Sequence, residues 1–139
     1  MGRVLVTAKI ENIQDVFKAF DGELPPAQIR SVTVNDALVD TGATGLCIPG
    51  KLIHQLGLRP TSRRRMRTTN GLVERTTYSA VRLTIQGYDC TIDVYEVPDH
   101  CPVLVGQIPL EAMDWVVDLK NQKLIDNPAH GGEHMVEAY

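Results

Sequence analysis

A chain of 139 residues has room for one domain of ordinary size and is cramped for two. Its 14 Lys and Arg against 17 Asp and Glu leave a net charge of −3, which supplies no overall attraction to nucleic acid or to an anionic membrane. Apolar residues at 43% and charged residues at 22% fit a packed core and exclude a disordered chain; with only 5% aromatic, that core must rest on Val, Leu and Ile.

The apolar runs all fall short of the roughly 18 residues that span a bilayer. The opening stretch, Arg3 to Thr7, is too short in apolar content for a secretory signal, and Val6 breaks the myristoylation pattern. Cys47, Cys90 and Cys101 are odd in number and widely spaced, so neither a disulfide framework nor a zinc ribbon is expected. Free, mostly buried thiols in a reducing, cytoplasmic setting are the expectation.

In chain order, residues 3–10 are β-rich and predict a first strand. Residues 12–21 carry Ile13, Val16, Phe17 and Phe20 at helical spacing. Residues 28–39 read as two strands with a turn at Asn35-Asp36. Residues 49–56 place Leu52, Ile53 and Leu56 on one face between Pro49 and Gly57, a helix start and stop. Residues 66–69 and 72–78 flank Asn70-Gly71, a dipeptide suited to a type I′ hairpin turn. Residues 80–86 and 89–97 alternate apolar and polar about a turn at Gly87-Tyr88. Residues 102–105 form a short buried strand, 109–114 a short helix with Pro109 at its first position, and 115–119 with 123–125 a last hairpin. The expected architecture is mainly β with one or two short helices.

The chemistry concentrates in Ala37-Leu38-Val39-Asp40-Thr41-Gly42-Ala43-Thr44. An apolar strand runs directly into Asp40, so a carboxylate is carried at the end of a rigid, buried element. Gly42 lets the backbone turn sharply and bring N–H groups to that carboxylate. The Thr41 hydroxyl adds a hydrogen-bonding group without charge.

This segment resembles the active-site loop of retropepsin-like aspartic proteases, whose core motif is D-T-G-A or D-S-G-A after apolar residues. Two further features of that family are present in order: Val103-Leu104-Val105-Gly106 followed by a short helix, and between the motifs a candidate flap hairpin around Thr68 to Val73. The resemblance covers roughly residues 30–125. It implies a closed β-barrel or sandwich of the acid protease fold, one domain over 1–139 with a core about 28–125, an N-terminal extension 1–27 and a tail 126–139. It implies an aspartic endopeptidase that needs no metal or organic cofactor. One D-T-G per chain implies a homodimer with Asp40 of each copy at the two-fold axis. Two carboxylates about 3 Å apart share one proton and titrate as a unit.

The resemblance assigns catalysis to Asp40, with Thr41 bonding across the axis and Gly42 offering its N–H to the dyad and its carbonyl to substrate. It assigns peptide binding to Ala43 and Thr44 and to the flap residues Thr69, Asn70, Gly71, Leu72 and Val73, which pair with an extended substrate like an added strand. Ala43 stands where some members have Ser; with no hydroxyl there to favour the charged carboxylate, a milder pH optimum is expected. Gln107 and Thr44 replace the Arg and Asp usual in retroviral members, and the flap holds one Gly. These departures fit a cellular or bacterial type and bear on dimer geometry more than on Asp40.

Competing signals are weaker. His130-Gly131-Gly132-Glu133-His134 matches H-x-x-E-H, but Gly131-Gly132 after Asn127-Pro128 opposes the helix that zinc ligation needs, and a polar tail on the dimer surface is the expectation. Arg63-Arg64-Arg65 and Arg67 form a basic run without interleaved aromatics, read as a solvated loop leading into the flap. His54 is expected on the surface, and neither Cys47 nor His100-Cys101 is expected to supply a nucleophile. The alternatives are a non-catalytic dimeric peptide- or protein-binding module on the same fold and, behind it, a nucleic-acid-associated β domain.

Overall fold

The computed structural model describes residues 3–136. The first strand, β1 (Val4–Asn12), buries Val4, Val6, Ala8 and Ile10 and exposes Leu5, Thr7 and Lys9, the period-2 pattern of a half-buried strand. Helix α1 (Ile13–Phe20) starts where the Asn12 side chain accepts from the Gln14 and Asp15 N–H groups, while Asn12 Nδ2 donates to the Leu56 carbonyl. Strand β2 (Ser31–Val39) returns antiparallel to β1. The polar pair Asn35-Asp36 is no turn: Val6 faces Ala37 and Ala8 faces Val34, so two residues oppose Thr7 and form a β-bulge inside one strand.

Strand β3 (Leu46–Pro49) leads into α2 (Gly50–Leu56). Strands β4 (Pro60–Thr68) and β5 (Gly71–Ile85) form a long hairpin. The arginine run lies on β4 itself rather than on a loop before it. β5 continues through the expected break near residue 79, where two of its residues bulge opposite β6 (Tyr88–Val97). The β5–β6 turn centres on Gln86-Gly87, both at positive φ, with Ile85 facing Tyr88. Strand β7 (Leu104–Val105) is followed by α3 (Gln107–Ala112), in which Pro109 holds the third position; its missing N–H costs nothing in the first turn. Strands β8 (Trp115–Asp118) and β9 (Lys123–Asp126) pair as a separate hairpin.

The main sheet runs β1-β2-β7-β3-β6-β5-β4, and a further β1–β5 pairing closes six of these strands into a barrel with β4 outside it. The fold is mainly β, as expected, with three short α-helices rather than one or two. β1 falls in the stretch expected as an extension and is nonetheless a barrel stave. Inside the barrel lie Val4, Ile10, Leu46, Ile48, Val81, Leu83, Ile85, Val94 and Val105, each no more than 2% exposed. Leu, Ile and Val supply nearly all of this core, as the low aromatic content requires.

Polar groups tie the helices to the barrel. Arg30 donates Nε and Nη2 to the two oxygens of Asp15 at 2.8 and 3.0 Å, and the Arg30 N–H adds a third bond at 2.9 Å. The Arg30 side chain holds the Asp15 carboxyl below its ordinary range. Buried Glu11 accepts from Arg82 Nε at 2.9 Å.

The tail folds back on its own chain. Asp114 accepts from Asn127 Nδ2 and the Met135 N–H, and pairs with His130 Nδ1 at 2.6 Å. These bonds, the His130 contact foremost, hold its carboxyl at about 2. His134 stacks on Tyr88 at 3.4 Å and meets Trp115 edge-on at 4.5 Å. Its Nδ1 lies 2.6 Å from the Met113 carbonyl and its Nε2 2.6 Å from Asp126 Oδ1. A carbonyl and a carboxylate both accept, so the protonated ring, donating from both nitrogens, is the form that satisfies both partners. Burial pulls its pKa down, but the bonds to Asp126 and Met113 and the charges of Asp126 and Asp114 outweigh it, for a net rise above 6.5. Residues 137–139, the end of the expected tail, lie outside the described residues.

A raised histidine pKa stabilises the docked tail fully below the ordinary value and ceases to do so as pH climbs through the raised one. Hydrogen exchange at the Met135 amide, corrected for intrinsic rate, is expected to lose protection as pH rises through and above the ordinary histidine range. His134→Gln should flatten that dependence. A wild-type profile that stays flat would show that the imidazolium does not hold the tail.

Candidate active site

Asp40 follows β2 directly and prolongs its pairing: the Leu38 N–H donates to the Val103 carbonyl at 2.8 Å and the Asp40 N–H to the Val105 carbonyl at 3.0 Å. The chain then turns sharply. The Ala43 N–H donates to the Asp40 carbonyl at 3.0 Å, and the Gly42 N–H donates to Asp40 Oδ1 at 2.9 Å, the contact anticipated from the small residue at that place. Asp40 and Ala43 are half-buried, and Thr41, Gly42 and Thr44 are exposed.

The segment after β7 clamps this loop from behind. The N–H groups of Gly106, Gln107 and Ile108 donate to the carbonyls of Gly45, Ala43 and Thr44, each at 2.9 Å. The approach is close enough to demand glycine at 106: a Cβ there would stand 2.5 Å from the Gly45 oxygen and 2.6 Å from the Ala43 oxygen. The late apolar-apolar-Gly motif therefore serves the acid loop directly, by letting one backbone lie against the other.

Cross-strand register identifies the face that Asp40 shares. Leu38 faces Leu104, Leu104 faces Cys47, Cys47 faces Tyr95, and Tyr95 faces Thr77. Directly opposed residues share a face, so this row crosses β2, β7, β3, β6 and β5 on one side of the sheet, away from the Val39–Val105–Val94 core. Asp40 is two residues beyond Leu38, and Arg75 and Val73 are two and four before Thr77; all lie on this side.

The hairpin tip differs from the type I′ expectation by one residue. Thr68 faces Gly71, so the loop is Thr69-Asn70, with neither at positive φ and Gly71 at φ +97°. The Thr68 hydroxyl accepts from the Asn70 N–H and donates to the Gly71 carbonyl. That hydroxyl supplies the local turn bonds, which is why the Asn-Gly signal misplaced the turn. Alternation then puts Gly71 and Val73 on the face of Asp40 and Leu72, 62% exposed, on the opposite face with Arg65 and Arg67. Among the described residues, no hydrogen bond or ion pair joins tip residues 69–73 to the acid loop.

Tyr95 and Arg75 on this face were not singled out by the sequence, and Cys47 and Leu104, noted there for other reasons, were not placed on it. Their signal is register, which becomes legible only once the bulge near residue 79 is known. Cys47 is buried, and burial pushes its thiol up to about 11; Arg75 pulls the other way, while Asp40 and Cys101 push further up. A thiol so held is a poor nucleophile, consistent with the expectation for Cys47. All three cysteines are free, as anticipated, but only Cys47 is buried; Cys90 and Cys101 are half-buried, so the thiols are not mostly buried. The sequence-matched H-x-x-E-H histidines are engaged by Asp114 and by Asp126 with Met113, and no cluster of three or more His, Cys, Asp or Glu poised for a metal occurs among the described residues. A cavity of about 450 Å³ lies against β1 and β5, lined by Leu5, Lys9, Thr84, Gln86 and Gln122 among others, and includes no residue of the acid loop.

Residues 26–108, more than half of the chain, match the model of a family described as aspartyl protease. The chain belongs to the aspartyl protease family. No curated protein matches it. The match takes in the acid loop, the β4–β5 hairpin and the clamp through Gly106, the parts that the geometry brings together. The aspartyl protease match thus spans both motifs and the barrel strands from β2 to β7, and β1, which closes the barrel, lies before it.

Gly106→Ala is expected to cost about 3 kcal/mol or more, because backbone must move to admit the methyl group. Gly71→Ala meets nothing within 4 Å and carries only the strain of its positive φ, for a cost of about 1 kcal/mol. Urea unfolding midpoints of the two variants test the contrast; equal midpoints would contradict the close approach.

Proposed function

We propose that the protein is an aspartic endopeptidase acting as a homodimer, with Asp40 of two copies forming the catalytic dyad. The observation that carries this reading is the placement of Asp40: a half-buried carboxylate at a barrel-strand end inside the family match, its loop clamped from behind, with Oδ1 accepting from the Gly42 N–H and Thr41, Gly42 and Thr44 exposed. Each chain supplies one such acid, and a shared proton requires two.

In the proposed reaction the ionised Asp40 takes a proton from water as the water oxygen bonds to the peptide carbonyl carbon. The protonated Asp40 of the second copy gives its proton to the carbonyl oxygen. The resulting diol collapses: the C–N bond breaks, the amine leaves with a proton returned by the dyad, and a carboxylic acid remains. Thr41 bonds across the axis and holds the two loops in register. Gly42, Ala43 and Thr44 meet the substrate backbone along one side, and residues 69–73 add a strand on the other. No step needs a metal or organic cofactor.

No helix among the described residues is long and apolar enough to cross a membrane. Three unpaired thiols support a reducing, cytoplasmic setting.

Asp40→Asn is the decisive variant. Hydrolysis of a mixed peptide library is expected to fall by at least about a thousandfold, with the thermal melt and the dimer mass by sedimentation retained. Wild-type kcat/KM should be bell-shaped in pH, because only the singly protonated pair works at both ends of the reaction. Residual full activity in the variant would assign the hydrolysis elsewhere. A wild type that binds peptides without cutting them would favour the binding-module reading.

A further inference from the structure

We infer that Arg75 selects substrates with an acidic side chain next to the scissile bond, a specificity that rests on the endopeptidase reading of the same face. Three features place it there. Arg75 lies on the side shared by Asp40, Leu38, Leu104, Cys47, Tyr95 and Thr77, and both Arg75 and Asp40 reach the Cys47 thiol electrostatically. Arg75 is half-buried, yet among the described residues its guanidinium has no hydrogen bond and no ion pair. Directly across the hairpin stands Arg64, likewise without either, so two like charges oppose each other on one face.

The nearby acid does not relieve this. Glu74 points to the other face, where it pairs with Arg63 at 3.6 Å. Two opposed cations without a carboxylate are unfavourable as they stand, and the pair becomes favourable when a carboxylate enters between them. An extended peptide lying along this face toward Asp40 passes that position. Its Asp or Glu side chain supplies the missing charge, whereas Lys or Arg there is repelled.

The test uses one degenerate octapeptide pool in two assays. Wild-type protein cuts the pool and the products are read by mass spectrometry; Asp40→Asn protein retains peptides without cutting, and the retained set is read the same way. Acidic residues should be enriched about tenfold over Gln and Asn at one position. Arg75→Met should bring that enrichment to near unity while neutral peptides are still cut, Arg75→Glu should shift it toward Lys, and Arg75→Lys should keep a reduced preference. Thermal melts confirm folding, and rising salt should weaken the preference in the wild type, which reads the charge without any substitution.

Enrichment that is absent in the wild type, or unchanged in Arg75→Met, would overturn the inference while leaving cleavage intact. Retention of acidic peptides that are never cut would uphold Arg75 and sink the endopeptidase reading. Neither cutting nor retention would sink both.

Discussion

The backbone clamp behind Asp40 is the constraint on which the rest of the site depends. Three consecutive N–H groups, from Gly106 to Ile108, end on three consecutive residues of the acid loop. The two backbones lie too close to admit a Cβ at Gly106. The loop is thereby fixed without using the carboxylate itself. Asp40 Oδ1 takes the Gly42 N–H, and Oδ2 takes no hydrogen bond from the described residues. Rigidity of the carrier and freedom of the acid are separate properties here, supplied by different atoms.

A second constraint is the length of β5. Its C-terminal half pairs with β1 and β6 and closes the barrel; its N-terminal half pairs with β4 and leaves the barrel as a hairpin. The bulge near residue 79 separates the two halves. The fully buried residues Val81, Leu83 and Ile85 anchor the strand, while Val73 and Arg75 are presented beside the acid face. The hairpin therefore inherits its register from the core. A slip of one residue would carry Arg75 and Val73 to the outer face and bring Glu74 and Leu72 to the acid, so core packing fixes which hairpin residues share the face of Asp40.

Most of the architecture is legible in the sequence because its signals are local. Alternation in Val4 to Ile10, helical spacing in α1 and the apolar run into Asp40 all act within a few residues. The misreadings share one cause. Asn35-Asp36 has turn composition, yet β1 pairs on both sides of it, and long-range pairing turned a candidate break into a bulge. Asn70-Gly71 has the favoured hairpin chemistry, yet the Thr68 hydroxyl drew the loop one residue earlier. The sequence segments 72–78 and 80–86 were read apart at Ser79, and the structure joins them through a bulge that changes parity without ending the strand. The site was legible where it is a contiguous motif and illegible where it is a row of partners drawn from five strands.

The tail illustrates the same limit and adds a physical point. Composition marks residues 127–134 as polar and glycine-rich, which suggests a segment with little to hold it. The structure instead gives it a charged anchor: Asp114 gathers Asn127, His130 and the Met135 N–H, and His134 lies between Tyr88 and Trp115 with a donor bond at each nitrogen. Each bond satisfies a polar group that contact with the barrel would otherwise bury alone, which is how a segment poor in apolar residues is kept in place. The histidines that match a metal motif by spacing are therefore spent on holding the tail. Because one of those attachments is strongest for a protonated His134, whose pKa is raised, it weakens as pH climbs above the ordinary histidine range, while the Leu–Ile–Val core beneath it does not titrate.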